Sequence, residues 1–162
     1  MNTDTDNKIQ NYVTASWVIV GVGILAAIIA YLLLPAIVPT HFGMNGEPDQ
    51  HGSKNSLIIT PIIVLAVNIF FQFMAKRPVD KFNYPVEITP ANADAQHGLM
   101  RYFFAMMRVI VVSVMTLVYG LIIASMFIGH TDMRAVVLTM ALVIVSVIVP
   151  ALVYGIKASN LK

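Results

Sequence analysis

Residues 34–54, LPAIVPTHFGMNGEPDQHGSK, form a polar, glycine- and proline-rich stretch between two long apolar runs. Before it, residues 13–38 carry no charge over about 26 positions, roughly 39 Å of helix against a hydrocarbon core of about 30 Å. After it a second apolar run begins at Leu57. The stretch therefore reads as a loop joining two membrane spans, with the polar chemistry of the chain gathered at one membrane surface. Binding or recognition is expected there.

Working outward, the chain is 58% hydrophobic and 11% charged, with a mean hydropathy of +0.79, so the bilayer is the expected solvent for most of it. Four spans emerge from the hydropathy pattern: 13–38, 57–75, 102–128 and 135–156. The N-terminal head carries Asp4 and Asp6 against Lys8, and no small-residue cleavage site follows the first run, so that run is expected to remain as an anchor and not to be removed as a signal peptide. An even number of spans puts both termini on one side. Lys8, Lys76, Arg77, Lys81, Arg101, Arg108, Lys157 and Lys162 fall on that side, against Lys54 and Arg134 on the other. The positive-inside rule then places the termini in the cytoplasm. The expected fold class is an all-α integral membrane protein: a single membrane domain with tails at 1–12 and 157–162, an ordered extracytoplasmic loop at 39–56, a cytoplasmic segment at 76–101 and an outer turn at 129–134. The formal net charge is +2 without a basic run, which argues against nucleic acid. Cysteine is absent, which excludes disulfides and thiolate-bound zinc.

Within segment 76–101, Thr89-Pro90 reads as an N-cap with proline at the first helical position, starting a helix along the interface that Gly98 could bend. Residues 82–88 are extended by propensity, with the residue before Pro85 biased away from helix. Inside the spans, Gly23 with Ala27 and Ala26 with Ala30 offer small surfaces for close helix packing. Asn68 and Gln72 share one face of the second span and are expected to meet Ser113, Thr116 or Tyr119. Arg108, the only charge inside a span, is expected to snorkel to the cytoplasmic end, which argues against a proton-coupled pump.

The outer loop supplies His41, Glu47, Asp49 and His51. Asn45-Gly46 is a turn signal that folds the two limbs together and brings His41 toward Asp49 and His51. Three readings stand side by side: a zinc site of His41, Asp49 and His51 with an open position for water, a hydrogen-bonded structural loop, and a ligand-recognition surface without metal. Pro35 and Pro39 end the first helix, and Ser53 or Asn55 can cap the second. Lys54 runs against the macrodipole preference at a helix start, which suggests a pairing role, for instance with Asp49.

Pro35, Pro39, His41, Phe42, Gly46, Asp49, Gly52, Ser53 and Lys54 resemble the signature of the bacterial SdpI-type membrane proteins, and Asn83-Tyr84-Pro85-Val86 with Asn92-Ala93 and Gln96 is similar to the cytoplasmic segment of many relatives. The resemblance implies a multi-pass protein of the bacterial plasma membrane; the named member of that family is an immunity protein against a secreted peptide toxin and takes part in signalling. This chain departs from it in ending after about four spans, and His51 stands where relatives often carry an aromatic residue. On this reading His41, Phe42, Gly46, Asp49, Gly52, Ser53 and Lys54 recognise a membrane-active peptide or a lipid head group, a binding function and not an enzymatic one. One alternative is a metal-dependent hydrolase acting on an envelope peptide or lipid, with Glu47 as general base. Another is an accessory subunit of a transporter or sensor that docks a membrane partner through Asn83, Tyr84, Pro85, Asn92 and Gln96; assembly with a second copy of the chain is a separate expectation with no surface assigned.

Overall fold

The computed structural model describes residues 3–161. It contains four long helices, α1 (Thr3–Leu33), α2 (Ile59–Ala75), α3 (Ala93–Ile128) and α4 (Met133–Asn160), and an antiparallel hairpin of β1 (Ile37–Phe42) and β2 (Pro48–Ser53) between α1 and α2. Short 3-10 turns at Lys54–Ile58 and Val79–Lys81 complete the chain. With the first turn counted into α2, all four helices are long and apolar enough to cross a membrane.

Helices α1, α2 and α3 share the core, while α4 rests chiefly against α3 and buries only Ala158. One core layer, nearer the hairpin, joins Ala27, Ala30, Leu34, Val38, Leu57 and Tyr119; another joins Val20, Val64 and Val112. Small residues let α1 approach α3: Gly23, Ala27 and Ala30 are all buried, and a Cβ on Gly23 would lie 3.3 Å from Thr116 Cγ2. The large aliphatic side chains that remain exposed, such as Leu32, Leu33 and Leu138, suit a lipid solvent.

The structure corrects several expected boundaries. The chain is not all-α, because the loop forms a β-hairpin. Helix α1 ends at Leu33 and not at residue 38: Pro35 disfavours helical backbone at Leu34, and Ile37 and Val38 enter β1. The tail at 1–12 is helical from Thr3, with Asp4 and Asp6 in the first turn, where carboxylates suit the helix dipole. The expected interfacial helix and third span are one continuous helix: α3 starts at Ala93, three residues beyond Pro90, and passes Gly98 without a break. At the far end of α3, Gly129 takes a left-handed conformation (φ 71°), and the Asp132 side chain accepts the Arg134 N–H at 2.8 Å to start α4. Lys162, counted above among the basic residues of the terminal side, lies outside the described residues.

Candidate functional site

The hairpin is built by its turn. Gly46 has φ +80°, which fits the expected Asn45-Gly46 reversal. The Gly43 N–H donates to Glu47 O at 2.8 Å and the Gly46 N–H to Gly43 O at 2.9 Å. Asn45 then holds Glu47 locally, donating from Nδ2 to its Oε2 at 3.0 Å. The tip does not stand free: the Thr131 N–H donates to Gly46 O at 2.8 Å, so the hairpin is fastened to the turn between α3 and α4.

Along the strands Pro39 pairs with His51 and His41 with Gln50, the register slipping on both sides of His41. His41 Nδ1 lies 2.6 Å from Asp49 Oδ1, and both side chains are more than half exposed. The sequence brings these two together as expected. His51 does not join them: it lies across from Pro39 in the regular part of the ladder, before the slip at His41, and no group of three or more His, Cys, Asp or Glu gathers among the described residues. The three-residue zinc set is thus not assembled, and Glu47, turned to Asn45, does not complete a hydrolytic centre with the pair.

At the base of the hairpin the role expected of Lys54 is corrected. Its Nζ donates to the carbonyls of Tyr31 at 2.8 Å and Leu34 at 3.1 Å and lies 4.7 Å from the Tyr31 ring centroid. A cation at the C-terminus of α1 meets unpaired carbonyls and the negative end of the dipole, so the conflict at the start of α2 is resolved by α1 and not by Asp49. Ser53 accepts the Asn55 N–H at 3.2 Å, as its capping role requires. The Tyr31 hydroxyl reaches Asn55 Oδ1 at 3.1 Å, and the buried Tyr119 hydroxyl donates to Leu57 O at 2.7 Å. Ser53 and Lys54 are thus seen as fasteners that set the angle of the hairpin to the helices.

Between β1 and helices α3 and α4 lies a cavity of about 480 Å³. Its walls are largely apolar, with Phe42, Leu121, Ile122, Val136 and Met140 among them, and its polar marks include His41 and the Ser125–Thr131 hydroxyl pair, 2.6 Å apart. An exposed imidazole–carboxylate pair thus stands at the lip of an apolar recess, a combination suited to an amphipathic ligand.

At the opposite end the segment expected to dock a partner is partly internal. Asn83 and Pro85 are exposed, but Tyr84 is half-buried against His97, with ring centroids 5.6 Å apart. Burial pushes the Tyr84 hydroxyl above the usual tyrosine range. Asn92 is buried, accepting the Thr89 N–H at 2.9 Å and donating to Glu87 O at 3.0 Å. Gln96 is buried too, its Nε2 donating to Ala158 O at 2.7 Å and Leu161 O at 3.2 Å, which ties α3 to the end of α4. These two amides fasten the fold and present no docking surface.

Sequence reasoning missed one cluster. Arg108 is 1% exposed and does not snorkel. Its Nε donates to Asn68 Oδ1 at 2.8 Å, its Nη1 to Gln72 Oε1 at 2.6 Å, and its guanidinium carbon lies 5.5 Å from the Trp17 ring centroid. The polar face of α2 therefore serves Arg108, and not Ser113, Thr116 or Tyr119. The signal was present in the lone charge of the apolar run 102–128 and the four-residue spacing on α2.

Four apolar helices with a structured polar hairpin at one end define a multi-pass membrane protein. The family described as Domain of unknown function (DUF1648) matches residues 18–65, which cover the second half of α1, the whole hairpin and the start of α2. An uncharacterized protein of Archaeoglobus fulgidus is 49% identical over 39 residues, a stretch that makes up 24% of this chain and 21% of that relative's length. No solved structure matches significantly.

Proposed function

We propose that this is a recognition protein of the plasma membrane, with both termini in the cytoplasm and the hairpin outside, where it receives an amphipathic ligand such as a membrane-active peptide or a lipid head group. The observation that carries this reading is the apolar cavity beside β1 with the exposed His41–Asp49 pair at its lip. The resemblance of the hairpin residues to the SdpI-type immunity proteins supports a protective role. The orientation rests on charge: Lys8, Lys76, Arg77, Lys81, Arg101 and Lys157 lie toward the terminal end, against Lys54 and Arg134 toward the hairpin.

Orientation is tested first. The native chain has no cysteine, and Met44 at the hairpin tip is 91% exposed. Met44→Cys is expected to react with a membrane-impermeant thiol reagent in intact cells; an inserted protein that labels only after lysis would reverse the orientation. Recognition is tested by challenging cells that express the chain with secreted, membrane-active bacterial peptides. Wild-type cells are expected to survive concentrations that kill cells lacking the chain. His41→Ala and Asp49→Ala are expected to abolish that advantage at unchanged membrane levels, and survival equal to wild type in both variants would sink the assignment of the pair.

A further inference from the structure

A second cavity, of about 140 Å³, opens between α1, α2 and α3 toward the terminal end and is lined in part by Asp6, Arg77, Arg101, Ala105 and Arg108. Three arginines thus meet one carboxylate, and no carboxylate among the described residues lies within ion-pair distance of Arg108. The guanidinium is held only by two neutral amides and a ring face, and its Nη2, together with Asn68 Nδ2, is buried without an acceptor. Burying a cation away from water is costly unless it is paired, and each orphaned donor adds to that cost. Arg108, with one nitrogen lacking an acceptor, lines a cavity whose walls are mostly apolar but whose charged residues are cationic on balance, and this calls for an anion with several oxygens.

We propose that this cavity binds a phosphoryl group, with Arg108 as its inner partner and Arg101 and Arg77 at the mouth. The space equals roughly four to five water volumes, the size of a group of five heavy atoms. Arg108 lies six residues beyond Tyr102, about 9 Å along the helix axis, and the Tyr102 and Tyr12 hydroxyls, 3.1 Å apart, sit where aromatic residues mark the interface. A phosphate entering from the interfacial layer would pass the Arg101 and Arg77 rim and meet the guanidinium about 9 Å deeper, more than halfway into one leaflet of a core of about 30 Å. Guanidinium donors match phosphate oxygens geometrically, which a single carboxylate would satisfy less fully. The same chemistry is supplied by a lipid phosphate of the adjacent leaflet or by free phosphate.

The test uses the full chain in neutral detergent, with binding read by native mass spectrometry and by the shift in thermal unfolding. The probes are inorganic phosphate, dioctanoyl phosphatidic acid, and dioctanoylglycerol, which has the same tails without the phosphate. At least one phosphate-bearing probe is expected to bind and stabilise the wild type, and dioctanoylglycerol is not. Binding of inorganic phosphate marks a soluble ligand, whereas binding of phosphatidic acid alone marks a lipid. Arg108→Gln is expected to weaken binding about tenfold or more, the change that follows from losing about 1.4 kcal/mol of charge-assisted contact. Should Arg108→Gln fail to fold, the exposed rim variant Arg101→Gln decides, with weaker binding expected. No binding by either phosphate probe, equal binding of dioctanoylglycerol, or unchanged affinity in the deciding variant would overturn the proposal.

Discussion

Asn68→Leu is expected to destabilise the protein by roughly 3 to 5 kcal/mol, the usual result of stripping a partner from a buried charge. Asn68 is fully buried and takes the Nε proton of Arg108 at 2.8 Å. With leucine there, the guanidinium keeps one hydrogen bond, to the half-buried Gln72 through a different nitrogen, and the Trp17 ring face. The magnitude separates two accounts. An ordinary interhelical hydrogen bond in a membrane protein is worth about 0.6 kcal/mol and at most about 1.7 kcal/mol, so a loss well above that range reports the stranded charge and not the bond. The measurement is equilibrium unfolding in detergent of Asn68→Leu, Arg108→Met and the double variant. Removing the cation removes the need for its partner, so the double variant is expected to be more stable than Asn68→Leu alone. Additive losses would show that the two residues act independently.

What the sequence made legible follows from which signals are local. Four apolar runs, Pro35 as a helix terminator, the Asn45-Gly46 reversal, the meeting of His41 with Asp49 and the Ser53 cap each depend on residues within one or two turns of chain, and all appear in the structure. The strand at Ile37–Phe42 was hidden because Ile37 and Val38 are as apolar as the helix before them, so hydropathy ran past the point where backbone geometry changes. Lys54, Gln96 and Arg108 were misplaced for a different reason. Each long side chain satisfies a group far away in sequence, at the end of α1, at the end of α4 and in the middle of α2 respectively. A single sequence states that such a donor exists but not which acceptor it meets. The candidate cavity is of the same kind, since β1 faces α3 and α4 only after the hairpin folds back over the α3–α4 turn.

That fold-back rests on Gly46, and Gly46→Val is expected to release the hairpin from the helices. The residue is buried at φ +80°, where a β-branched side chain is strained, and a Cβ there would collide with the Thr131 carbonyl and come within 2.7 Å of His130 Cε1. The backbone must move, and the 2.8 Å bond from the Thr131 N–H to Gly46 O goes with it. Strain and the lost bond together cost about 2 to 4 kcal/mol, enough to free the tip but small against the packing of three buried helices. Hydrogen exchange in detergent is the suitable measurement because it resolves local from global opening. Amides of β1 and β2 are expected to lose protection while those of α1 and α3 around Ala30 and Val112 keep theirs. Gly43→Ala serves as the control: its backbone is not in the left-handed region, and its nearest neighbour would be Asn45 Oδ1 at 3.1 Å, a side chain held by local bonds to Glu47 and not by the α3–α4 turn. Equal effects from the two substitutions would mean that general loop disruption, and not docking on the α3–α4 turn, holds the hairpin in place. If docking does hold it, the cavity beside β1 loses a wall in Gly46→Val, so cells carrying this variant should forfeit peptide protection even though His41 and Asp49 are both intact.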